Sequence, residues 1–203
     1  MNTGRKIWVI LLSLCLILAL LPLTSNRSFI SSPSRVLEEA LSNESYLSAD
    51  QVAKLITSDD NTFQLVDLRQ PSEFLSFNIP GSINVPYNEF IKKDPGNLFT
   101  SRSKKYIFYS NNDLYSNYAM TVARGMNYKN AFVLKGGLNE WFKTIMNTTF
   151  TGERITAREN ALFSTRRRAG QMFTELNSMP DSLKKKYVDS KRLESRKLDG
   201  GCE

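Results

Sequence analysis

The sequence predicts an α/β domain, and three stretches show why. Leu65 to Pro86 reads as strand, sharp turn, short helix, second turn and second short strand. The apolar run begun at Phe63 ends at Val66, where Asp67, Arg69 and the breaker Pro71 follow at once. A second strand, Lys105-Tyr106-Ile107-Phe108-Tyr109, empties into the polar loop Ser110 to Ser116. The third, Ala131-Phe132-Val133-Leu134, is followed by Gly136-Gly137, which permits a tight strand-to-helix turn. Strands that alternate with helix starts in this way indicate mixed α/β architecture.

Composition narrows the chemistry. A chain of 203 residues, 41% hydrophobic and 11% aromatic, suits one globular domain with extensions. It contains no histidine. That removes His-based general base catalysis, Cys-His and Ser-His dyads, and any His-containing metal site. The two cysteines, Cys15 and Cys202, stand near opposite ends and suggest neither a disulfide framework nor a metal cluster. No metal and no cofactor are expected.

In chain order, Arg5 and Lys6 precede an apolar run from Ile7 to Leu23 that only Ser13 interrupts. As a helix this run would span roughly 26 Å against about 30 Å of bilayer core, between a long signal-peptide core and a short membrane helix. Residues 1–24 are therefore a transmembrane anchor or a signal peptide. A cut after Ser25 would leave the bulky Leu23 two residues earlier, which favours an uncleaved anchor. The positive flank predicts an inner-membrane protein with its domain on the exported side, or a secreted one if the segment is cleaved. Cys15 is a small apolar residue of that segment.

Residues 25–45 read as a tether: Asn26 to Ser34 is rich in Ser and Asn, and a short amphipathic piece spans Val36 to Leu41. The folded part begins near Tyr46. Ser48 and Gln51 form a capping box ahead of Val52, Leu55 and Ile56, placing a helix whose apolar face meets the Phe63–Val66 strand. Asn26, Asn43 and Asn147 sit in Asn-x-Ser/Thr triplets, which matter only in a host that glycosylates exported chains.

The central stretch reads Asp67-Leu68-Arg69, Pro71-Ser72-Glu73-Phe74 and Asn78-Ile79-Pro80-Gly81-Ser82-Ile83-Asn84-Val85-Pro86. It resembles the first signature of rhodanese-like domains: a strand ending in Asp-x-Arg, a Pro-x-Glu-Phe helix start, and a His-Ile-Pro-Gly-Ala-x-Asn-x-Pro turn, with Asn78 at the usual His. Downstream, Ala119, Gly125, Tyr128, the Ala131–Leu134 strand and Gly136-Gly137-Leu138-Asn139-Glu140-Trp141 match as well. The resemblance implies a central, mainly parallel sheet flanked by helices over residues 46–148.

The same resemblance marks Ser110-Asn111-Asn112-Asp113-Leu114-Tyr115-Ser116 as the active-site loop, where the family reads Cys-x-x-Gly-x-Arg-Ser. A rhodanese reaction needs a thiolate that accepts a sulfur atom as a persulfide and passes it on. Ser110 cannot form one. Asp113 stands for a glycine and adds negative charge, and Tyr115 removes a cation, so the loop is expected to bind a ligand without sulfur transfer. Asp67 and Arg69 border the pocket by position; with Glu73 they read best as an ion-pair network that fixes the strand-to-helix turn. Trp141 reads as core.

After Asn147 the character changes. Residues 149–203 read as two amphipathic helices, Ile155 to Leu176 and Leu183 to Leu198, split by Asn177-Ser178-Met179-Pro180-Asp181. Residues 151–203 hold 12 basic and 8 acidic side chains, much of the chain's net charge of +7. Arg166-Arg167-Arg168 and Lys184-Lys185-Lys186 lack interleaved aromatics, so a solvated face is expected ahead of an anionic membrane surface or an acidic protein partner, and nucleic acid is not. Leu198-Asp199-Gly200-Gly201-Cys202-Glu203 puts a thiol on a short leash. Two functions follow: a membrane-associated, catalytically degenerate rhodanese-like binding module, or a sulfurtransferase or thiol-redox protein working through Cys202.

Overall fold

The computed structural model describes residues 42–58, 60–92, 103–149 and 156–199, with scattered positions before and between them. After a 3-10 turn at Asn43–Ser45 the elements run β1 (Tyr46–Leu47), α1 (Ala49–Thr57), β2 (Phe63–Asp67), α2 (Pro71–Ser76), β3 (Ser82–Asn84) and α3 (Tyr87–Lys92). They continue with β4 (Lys105–Tyr109), α4 (Asp113–Gly125), β5 (Ala131–Leu134), α5 (Gly137–Trp141) extended by a π-helical stretch Phe142–Met146, α6 (Ala157–Asn177) and α7 (Asp181–Asp199). The described strands form one sheet of order β1-β5-β4-β2-β3. Every pairing in it is parallel, including Leu65 opposite Ile107 and Phe108 opposite Val133.

Helices cover both faces, which is why the strands are apolar at nearly every position. Along β4 the side chains alternate: Tyr106 and Phe108 join one cluster with Phe90, Met120 and Ala123, while Ile107 and Tyr109 join the other with Val52, Leu138 and Trp141. Helix α1 starts as the sequence predicts. Ser48 Oγ accepts from Gln51 N and Gln51 Oε1 accepts from Ser48 N. Helix α2 starts on Pro71, with Glu73 Oε2 accepting from Gln70 N at 3.2 Å.

The C-terminal extension is part of this core. Helix α6 supplies Ala169 and Phe173 to the same cluster as Leu65 and Trp141, and the Phe173 ring meets Phe142 edge-on at 5.5 Å. Two of the residues expected on a solvated basic face are used internally instead. Arg166 grips Asp50 through Nε to Oδ1 at 2.6 Å and Nη2 to Oδ2 at 2.7 Å. Lys184 is 2% exposed, and its Nζ donates to the carbonyls of Leu75 and Ser76 at 2.7 and 3.2 Å. Those are the orphan acceptors at the negative end of α2, the place where a buried ammonium is best compensated. Arg167, Arg168, Lys185 and Lys186 remain exposed.

Asn177, the last residue of α6, completes the attachment. Its Oδ1 accepts from Asn78 N at 3.0 Å and its Nδ2 donates to Asn78 O at 2.9 Å. The tail thus reads the backbone just after α2 as a paired strand would. Among the described residues no helix is long and apolar enough to cross a membrane. The apolar run from Ile7 to Leu23 falls mostly outside those residues, as do most of the 25–45 tether and Cys202.

If α6 is core, Phe173→Ala should lower unfolding free energy by about 3 kcal/mol, the usual size for a buried aromatic truncation. Urea denaturation followed by tryptophan fluorescence measures it, since Trp141 lies 6.5 Å away. A change below about 0.5 kcal/mol would mark α6 as an appendage.

Candidate functional site

The C-terminal ends of β2 and β4 lie side by side, with Asp67 opposite Tyr109 in register, so the chain leaving each strand builds one wall of a cleft. The loop wall begins at Ser110, only 3% exposed, whose Oγ donates to Asn112 O at 2.6 Å. Asn112 then caps α4, its Oδ1 accepting from Leu114 N at 3.0 Å.

The turn after β5 locks this loop from below. Leu138 N donates to Ser110 O at 2.9 Å and Asn139 N to Asn111 O at 3.2 Å. Gly136 N donates to the Asp113 carboxylate. Gly136 and Gly137 hold φ of +73° and +56°, which only glycine adopts freely. At Gly137 there is a second reason, because a Cβ would collide with Ser110 O and the backbone of Asn111.

The other wall rests on a buried ion pair. Arg69 Nη2 meets Asp67 Oδ2 at 2.6 Å, with the two side chains 2% and 0% exposed. Arg69 N also donates to Asp67 Oδ1 at 2.9 Å, and Nη2 reaches Phe77 O at 2.7 Å. The guanidinium carbon stands 4.8 Å from the Phe77 ring centroid. Burial pushes the Asp67 carboxyl above its usual range, and its bonds to Arg69 pull it part of the way back. Behind the pair, burial holds the Tyr109 phenol well above its ordinary value; its hydroxyl donates to Ser82 Oγ at 2.9 Å.

Between the walls lies a cleft of about 520 Å³. Ser110, Asn111, Asn112 and Tyr115 line it from the loop and Arg69 from the opposite wall. Other predicted residues lie elsewhere. Asp67 is sealed beneath Arg69, Ser116 is buried without a partner for its hydroxyl, and Leu114 is half exposed outside the cleft. Asp113 corrects the sequence reading: its carboxylate does not project into the cleft but serves as the acceptor that ties the loop to Gly136.

Glu73 corrects it too. It belongs to no ion pair with Arg69; its Oε1 instead accepts from Asn111 Nδ2 at 3.1 Å, bridging the two walls. Sequence reasoning passed over Leu68, Gln70, Tyr87 and Asn88, which complete the lining. Tyr87 follows Pro86 directly, so continuing the motif by one residue would have reached it. Its ring lies 4.7 Å from that of Tyr115 and 6.3 Å from that of Tyr118. Burial, with the two neighbouring tyrosines, raises its phenol above the ordinary value.

Gly137→Ala should move the loop and destabilise the fold by about 2 kcal/mol or more, through both the positive φ and the lost approach. Amide exchange at Asn111 to Leu114 reports the first effect and urea unfolding the second. Wild-type protection in the variant would mean that the loop holds its shape without the turn.

The rhodanese-like domain family model matches residues 48–144, the span that carries β2 to β5 and both walls. Thiosulfate:glutathione sulfurtransferase of Saccharomyces cerevisiae is 30% identical over 111 residues, covering 50% of this chain and 80% of that protein. The mitochondrial thiosulfate sulfurtransferase RDL2 of the same yeast is 28% identical over 102 residues, covering 45% and 68%. Among solved structures, an uncharacterized protein from Saccharomyces cerevisiae is similar at TM-score 0.46 and 28% identity, covering 54% of this chain and all of that one. With four-fifths of a relative matched at 30% identity and the motif residues at the ends of β2 and β4, this chain belongs to the rhodanese-like domain family.

Proposed function

We propose that this chain is a rhodanese-like module that binds a ligand in the cleft without transferring sulfur, held at a membrane by its N-terminal segment. The observation that carries the reading is Ser110. Two relatives are named sulfurtransferases, and such transfer proceeds through a thiolate that becomes a persulfide. A hydroxyl is far less acidic and forms no persulfide. Here it is also engaged, donating to Asn112 O at 2.6 Å, and with no histidine in the chain there is no imidazole to activate it.

Tyr115 supports the same reading, because the cation that would hold a sulfur oxyanion beside the loop is absent at that position. For the membrane, the support is the Arg5-Lys6 flank and the Ile7 to Leu23 run. The exposed Arg167, Arg168, Lys185 and Lys186 are the basic residues left for a protein partner on the exported side.

Incubated with thiosulfate, the full-length chain should gain no sulfur by intact mass. A gain of one sulfur mapped to Cys202 would replace this reading with the second one, transfer through the terminal thiol. The loop itself gives a further expectation. Ser110→Cys alone should be nearly inert in producing thiocyanate from thiosulfate and cyanide, since no cation lowers the thiol's pKa. Ser110→Cys with Tyr115→Arg should be at least about tenfold faster, a gain of about 1.4 kcal/mol in the transition state. Adding Asp113→Gly should bring no further gain, because that carboxylate clamps Gly136. Equal rates for the single and double variants would show that the missing cation is not the obstacle.

A further inference from the structure

We infer that the cleft takes a small organic cation, an ammonium group on a compact apolar body, in place of an oxyanion. This rests on the non-transferring reading above. Of the residues lining the cleft, only Arg69 and Glu73 are charged. The Arg69 charge is met by Asp67 at 2.6 Å in a pair almost closed to solvent, so the cleft sees a neutral unit. Arg69 Nη1 lacks a partner, yet it is itself buried and offers an incoming anion no direct contact.

Glu73 is different. Its two oxygens accept from Gln70 N and from Asn111 Nδ2, both neutral donors that fix the carboxylate without cancelling its charge. Tyr87 and Tyr115 both line the cleft, their rings packed on each other at 37° with centroids 4.7 Å apart. Ring faces carry negative quadrupole density and attract cations, and Tyr115 stands where an anion site needs a positive charge. A fixed carboxylate beside two aromatic rings therefore suits an ammonium ion in charge, and the cleft of about 520 Å³ leaves room for the organic body that carries it.

The test uses full-length, isotope-labelled protein and follows the amides of Asn111 to Tyr115 by NMR during titration. Probes are butyltrimethylammonium, the lysine side chain as Nα-acetyl-lysine amide, and thiosulfate as the anion. Saturable shifts with either cation and none with thiosulfate are expected. Tighter binding of the lysine amide would assign the ammonium to a protein side chain, and tighter binding of the quaternary ion to a free small molecule. Glu73→Gln, which keeps the shape and removes the charge, should weaken cation binding by about tenfold, and Tyr115→Arg should abolish it. Either cation binding unchanged in both variants, or no cation binding at all, would overturn the inference. A thiosulfate-dependent gain of one sulfur mapped to Cys202 would instead overturn the non-transferring reading, so the two failures are distinct.

Discussion

The close approach of the turn after β5 to the loop after β4 is the contact on which the site depends. Two successive carbonyls, those of Ser110 and Asn111, accept from Leu138 N and Asn139 N, and the Asp113 side chain, two residues on, accepts from Gly136 N. Backbone can come this near only where no Cβ intervenes, which is the reason for Gly137. With the Ser110 and Asn111 carbonyls turned down into the protein, the loop leaves Ser110, Asn111, Asn112 and Tyr115 to line the cleft. A loop so held behaves as an extension of the sheet.

The opposite wall is held by electrostatics, and from further away in the sequence. The Asp67–Arg69 pair sets the exit from β2, and Phe77 O draws the guanidinium over the following turn. Breaking such a pair by removing one partner leaves a buried charge, at a cost of about 3–5 kcal/mol. Beyond it, Lys184 caps α2 and Asn177 binds both polar groups of the Asn78 backbone. Helix α2 carries Glu73, so the C-terminal helices brace the wall that reaches across to Asn111. Asn78 replaces the usual histidine of the motif at the point where this brace attaches.

The family scaffold is intact: the strand ends, the glycine turn and the buried ion pair that shape the cleft are kept. The proposed reading turns on three residues of the loop, the Ser110 hydroxyl, the Asp113 carboxylate used as a clamp and the Tyr115 ring.

Local rules made much of the molecule legible in advance. The Ser48–Gln51 capping box, the Pro71 helix start, the apolar strand Lys105–Tyr109 and the Gly136-Gly137 turn are short-range consequences of side-chain chemistry, and the sequence by itself determined them, together with the α/β class and the absence of imidazole chemistry. Where a side chain points across the cleft is set by partners dozens of residues away, and only the tertiary structure decided it. Asp113 reads as a charge in the loop until Gly136 N is found beneath it. Glu73 reads as a partner of Arg69 until Asn111 is found facing it, and Lys184 reads as one of three solvated lysines until the last carbonyls of α2 appear 2.7 and 3.2 Å away. A charged side chain goes to the nearest group that satisfies it in space, and periodicity along the chain does not encode which group that is.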